Sequence, residues 1–131
     1  MRHGFRRALL TVAVVLASTV ASFGHHSVPG QFDTSTSLTL TGVISKVEWI
    51  NPHIYLHLDV KDGNGTIATW ALASLPTAMM RRAGLTRESV QGKPGEVVTV
   101  AANPAREDGR RLAWVNRITY ADGHSISPTG Q

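Results

Sequence analysis

The chain has 131 residues and a formal charge of +4, but Arg2, Arg6 and Arg7 at the extreme N-terminus supply much of that excess. Beyond them, ten basic side chains face nine acidic ones and the only basic pairs are Arg81-Arg82 and Arg110-Arg111, so the concentrated patch of a nucleic-acid-binding domain is missing. No cysteine is present, which excludes disulfide staples and leaves stability to a hydrophobic core.

The first segment runs from basic residues through an apolar stretch, Ala8 to Ala17, into small residues from Ser18 to Gly24. That order predicts a cleavable secretory signal over residues 1–24, and hence a periplasmic or secreted protein. Arg6-Arg7 also resembles a twin-arginine export signal, so the export route stays open. The apolar stretch is far shorter than the ~20 residues of a spanning helix, and nothing later is longer or greasier. Cleavage fits the small-x-small rule after Ala21 or after Gly24; the second cut would leave His25 first, followed by His26 and Ser27.

Residues 25–37 carry breakers and hydroxyls and predict an irregular lead-in. Residues 38–50 alternate as one long strand, with a phase slip around Gly42 to Ile44 that predicts a β-bulge. After the turn signal Asn51-Pro52, residues 53–60 alternate cleanly, placing Ile54, Leu56, Leu58 and Val60 inward and His53, Tyr55, His57 and Asp59 outward. The turn-rich stretch Lys61 to Gly65 predicts a hairpin to a third strand over 66–73, with Ala68, Trp70 and Leu72 inward. Ser74 fits an N-cap for a short helix over 75–83, stopped by Gly84, and a further helical turn is predicted over 86–90. A fourth strand follows over 96–102 and a fifth over 112–120; residues 121–131 read as a loose tail.

Three strands, a helix and two strands, the first long and bulged, form a single domain over residues 38–120. The order predicts a mainly β fold: a small, five-stranded, OB-like Greek-key barrel with one short helix between strands 3 and 4. Another small antiparallel barrel or an open sandwich fits the same order.

Several short stretches stand out: His25-His26-Ser27, Phe32-Asp33, Gly42-Val43-Ile44, Glu48-Trp49-Ile50-Asn51-Pro52-His53 and Gly92-Lys93-Pro94-Gly95-Glu96. Together they resemble a family of small exported bacterial proteins known only as a domain of unknown function, with Glu-Trp-x-Asn-Pro-His the most specific piece. The resemblance covers nearly all of the chain beyond the signal and implies a periplasmic location and a small β-barrel, with no activity attached. It also implies an acidic residue shortly after Trp70, where this chain has Ala71 and Ala73. A role for that acid does not carry over.

No phosphate-binding glycine motif occurs, the acids are dispersed, and no nucleophile-base order can be argued from scattered Ser, His and Asp. A conventional enzyme is therefore the weaker class. The histidines are the informative residues, because imidazole is the commonest metal-ligating side chain. If His25 is the first residue, its amine and imidazole form a chelate suited to copper. His53 or His57 can add a third nitrogen, and His26 lies beside the chelate. On a straight strand, His53 and His57 stand ~13 Å apart and cannot share one metal. Met79 and Met80 read as core filling, and His124 as a tail residue. The expectation is a copper-binding protein. The alternatives are a metal-free module binding a peptide or saccharide on a face formed by Trp49, Tyr55 and Asp59, and a small copper enzyme.

Overall fold

The computed structural model describes residues 27–128. Among them the elements run α1 (Val28–Gln31), β1 (Leu38–Glu48), β2 (Tyr55–Lys61), β3 (Ile67–Ala73), α2 (Thr77–Arg82), α3 (Arg87–Gln91), β4 (Val97–Pro104), β5 (Leu112–Thr119) and β6 (Ser125–Ile126). Residues 1–26, which include the expected signal, and residues 129–131 lie outside this range.

Strand β1 serves two neighbours. Its N-terminal half pairs with β4 and its C-terminal half with β2, both antiparallel. β2 pairs with β3 and β4 with β5, and a parallel contact between Ala71–Ala73 of β3 and Leu112–Trp114 of β5 closes the cycle. The result is a closed five-stranded barrel in the order β1-β2-β3-β5-β4, the OB-like Greek key that the element order predicts. The bulge falls at Ser45, slightly later than the glycine, where the β1–β2 register shifts between Ile44 and Lys46. It lets Ile44 and Val47, three residues apart, both face the core. Gly42 serves the close approach of two strands. A Cβ there would stand 2.2 Å from the carbonyl oxygen of Asp59, so only glycine lets β1 pass so near β2.

The barrel interior is filled from every strand of the cycle, with Leu56, Leu58, Leu72, Val100, Val115 and Ile118 fully enclosed. Met80 of α2 and Val90 of α3 plug one end. Met79 does not join them; it is 48% exposed, because on a one-and-a-half-turn helix only one of two adjacent residues can face the barrel. Of the three residues expected inward on β3, Leu72 is fully enclosed and Trp70 packs against the core from its margin.

Two local expectations are corrected. Helix α2 starts at Thr77, and Ser74 does not cap it: Ser74 is buried and its hydroxyl donates to the Met80 sulfur at 3.8 Å. The helix is capped instead from a distant loop, where Asn51 Oδ1 accepts from the Thr77 amide (3.3 Å) and hydroxyl (3.0 Å). The C-terminal segment is not loose as far as it is described. Residues Ser125–Ile126 form β6 on β5, the His124 ring stacks on Tyr120 at 4.4 Å, and Pro128 is buried.

The lead-in is also more ordered than its composition predicts. Ser27 caps α1, accepting from the Gly30 amide at 3.3 Å, and Phe32 then bridges to Ala105 with only 2% of its surface exposed. Phe32, Ala73, Leu112 and Trp114 form a second apolar cluster on the outside of the barrel, edged by Val28 and Tyr55. This explains why four consecutive residues of β5, Leu112 to Val115, are all buried. Alternate residues serve the inner core, and the others lie under the lead-in.

Candidate metal and ligand site

The outer face of β2 and the turn that feeds it carry the residues singled out in the sequence. The Asn51–Pro52 peptide is cis, and Asn51 ties the turn to the start of α2. Beyond the regular strand, Ser74 N donates to Ile54 O (2.9 Å) and Ile54 N to Leu75 O (3.3 Å), which sets His53 against the end of β3. There His53 Nδ1 lies 3.1 Å from the Ser74 carbonyl oxygen. A carbonyl can only accept, so Nδ1 carries the hydrogen, and in the neutral ring Nε2 holds the free lone pair. Among the described residues nothing hydrogen-bonds that nitrogen. The ring stands edge-on to Trp114, with centroids 5.7 Å apart and an 87° interplanar angle. Trp114 in turn meets Phe32 of the lead-in at 5.8 Å.

His57 has other company. Its Nε2 lies 3.1 Å from Glu48 Oε1, and Lys46 Nζ approaches the same oxygen at 2.5 Å. The Lys46 bond, more than the one from His57, holds the Glu48 carboxyl below the usual range. The two histidines thus keep different partners: His53 stands against Trp114 of the outer apolar cluster, and His57 in an ion-paired row shared with β1. Of the other face residues, Asp59 accepts from Thr69 Oγ1 across the hairpin at 2.7 Å, and Tyr55 packs against the outer cluster. Trp49 departs from the expected face. It follows the end of β1 and packs, partly buried, against the main core, on the other side from Tyr55.

The lead-in lies across the outer cluster as a strap. Asp33 N donates to Pro104 O (2.9 Å), Arg106 N to Gln31 O (3.0 Å), Arg106 Nε to Pro29 O (2.8 Å) and Asn103 Nδ2 to Thr36 O (2.8 Å). Within the strap, Asp33 accepts from the Ser35 and Thr36 hydroxyls and the Ser35 amide, which pull its pKa down to about 2.

Among the described residues no three His, Asp or Glu side chains gather to hold a metal. His25 and His26, the expected chelate, lie outside the described residues. His124 pairs with Asp122 and stacks on Tyr120. Three partners were missed from sequence: Trp114, Glu48 and the Ser74 carbonyl. The uninterrupted Leu112-Ala-Trp-Val run was the available signal for Trp114, since a strand buried on both faces loses its alternation. Glu48 stood in the open as the first residue of the Glu-Trp-x-Asn-Pro-His stretch.

Fold and face together define a small OB-like barrel whose outer surface is strapped by residues 27–37, with an imidazole edge-on to the indole that the strap's Phe32 meets. The chain belongs to a family of unknown function (DUF6152), matched over residues 12–125. No curated protein and no solved structure matches it. Among the described residues no helix is long and apolar enough to cross a membrane.

Proposed function

We propose that this is a periplasmic or secreted copper-binding protein, processed after Gly24, in which the amine and imidazole of His25 and the Nε2 of His53 bind one Cu(II). The observation that carries the proposal is the state of His53. Its Nδ1 is committed to the Ser74 carbonyl, which orients the ring and leaves Nε2 as the donor, the arrangement that metal-ligating histidines adopt. Its neighbour Trp114 is the residue on which Phe32 of the lead-in rests, so barrel ligand and N-terminal segment share one cluster. His57 is the poorer third ligand, because its Nε2 is engaged by Glu48. Three nitrogens with positions left for water suit tetragonal Cu(II), whereas structural zinc prefers four closed ligands.

The test is calorimetry and electron paramagnetic resonance on protein beginning at His25. One Cu(II) per chain with three nitrogen ligands is expected, and His53→Ala should remove one nitrogen while His57→Ala leaves the count unchanged. Acidification should weaken binding, since protonated amine and imidazole cannot ligate. An added residue before His25 should weaken binding strongly. Equal affinity and identical spectra with and without that residue would sink the chelate and leave the Tyr55–Asp59 face as a surface for a peptide or saccharide.

A further inference from the structure

Strand β3 is paired along its whole length on one side and over only part of it on the other. β2 matches every residue from Ile67 to Ala73, whereas β5 joins β3 only at Ala71–Ala73. The alternation of bonding fixes which groups this leaves over. Ser74 N donates to Ile54 O (2.9 Å) on the β2 side and Ala71 N to Arg111 O (2.9 Å) on the β5 side, so the odd-numbered residues of β3 point their N–H and C=O away from β2. Ile67 and Thr69 therefore direct two amides and two carbonyls to an edge that no strand among the described residues occupies. Natural edges are commonly blunted by charge or proline. The stretch Ile67-Ala68-Thr69-Trp70 carries neither; Ile67 is 63% exposed, and Trp70 is only partly covered where it packs at the margin of the core.

From this edge we infer a docking site for an extended, acidic polypeptide segment, which adds as a strand beside Ile67–Trp70 in line with β5. The site shares no residue with the proposed copper ligands, so the inference stands apart from that reading. The main-chain groups of Ile67 and Thr69 supply the pairing, the mode in which an added strand gains its affinity. Charge selects the partner. Lys61 lies opposite Ile67 at one end of the edge, and Arg111 bonds to Ala71 at the other. Both are exposed, and among the described residues neither forms an ion pair. The next cation along, Arg110, is paired with Glu107 at 3.0 Å. The nearby acids are already engaged: Asp59 accepts from Thr69 Oγ1 at 2.7 Å, and Asp62 from the Asn64 and Thr66 amides at 2.9 Å. Ile67 and Ala71 stand about 13 Å apart along the strand. The fitting segment therefore carries two acids four residues apart, with β-branched residues between them to pair with Ile67 and cover Trp70.

The experiment uses the whole protein and a fluorescein-labelled probe peptide, Gly-Glu-Val-Thr-Val-Glu-Gly, read by fluorescence anisotropy, with Lys replacing both Glu residues in a control peptide. The acidic probe should bind about tenfold more tightly than the basic one, and rising salt should narrow the gap. Arg111→Ala and Lys61→Ala should each weaken it about threefold. Thr69→Pro removes an edge amide that the barrel does not use, at a place where a strand tolerates proline. It should keep the denaturant midpoint and cost about tenfold or more in probe affinity. Thr69→Val, which keeps the amide and discards the hydroxyl, should bind as wild type does. Hydrogen exchange at the Ile67 and Thr69 amides should slow on adding probe, while the Ala68 and Trp70 amides, directed at β2, change little. A folded Thr69→Pro protein that binds the probe at full affinity overturns the inference, as does equal affinity for the two peptides. Protection of the same two amides that grows with protein concentration in the absence of probe assigns the edge to a second copy and overturns it as well. Should Thr69→Pro fail to fold, two probes N-methylated on alternate residues, one in each phase, decide the matter. One phase should abolish binding and the other leave it; full affinity in both overturns the strand pairing.

Discussion

The barrel holds two apolar clusters that share strands but differ in kind. The inner one draws on β1 to β5 and both later helices, and many of its members have no exposed surface at all. The outer one has four buried residues, and its roof is the strap over residues 27–37, held by one aromatic ring and a few hydrogen bonds. Two clusters so unequal in depth can fail separately. Losing the inner cluster dissolves the fold, whereas losing the outer one frees a segment that opens below the global unfolding free energy.

Leu58→Ala gives the largest expected effect. Leu58 is fully buried and paired between β1 and β3, so truncation should cost about 3 kcal/mol of global stability, read from denaturant midpoints. Gly42→Ala should come next, at about 2 kcal/mol, because the new methyl must displace the Asp59 carbonyl; a neutral result would mean the β1 crossing is looser than its 2.2 Å clearance implies.

Phe32→Ala probes the outer cluster alone. It should raise exchange of the strap amides far more than it moves the global midpoint, even though phenylalanine truncations in a main core cost about 3–5 kcal/mol. A midpoint shift matching Leu58→Ala would merge the two clusters into one cooperative unit.

The smallest effect belongs to pH. Asp33 is a half-buried carboxylate whose folded pKa, about 2, lies below its ordinary 3.8. Its contribution to strap order is therefore complete above pH 3.8 and is lost as pH falls toward 2. Exchange or proteolysis within residues 27–37 should rise over that window in wild type, and Asp33→Asn should show the acid-side rate throughout. A strap equally protected at both ends of that window would show that Phe32 alone holds it.

Much of this architecture was legible in the chain. The alternation of residues 53–60 assigned Ile54, Leu56 and Leu58 to the interior and His53, Tyr55, His57 and Asp59 to the outer face, because side chains on a strand can only alternate. The bulge and the hairpin carried local signals of phase and turn chemistry. The strap, the β6 pairing and the Asn51 cap on Thr77 carried none, since each depends on which segments meet in the folded chain.

Local periodicity and turn residues were thus enough to set most of the residues that line the barrel, the order of its five main strands and the outward side of the two imidazoles on β2 and its turn. Which imidazole stands ready as a donor was left to the folded chain. His53 and His57 have the same side-chain chemistry; what separates them is that one meets the Ser74 carbonyl just past β3 and an indole from β5, and the other a carboxylate from β1. Proton placement on a histidine follows from its partners, and those partners are set by long-range packing that no local pattern encodes.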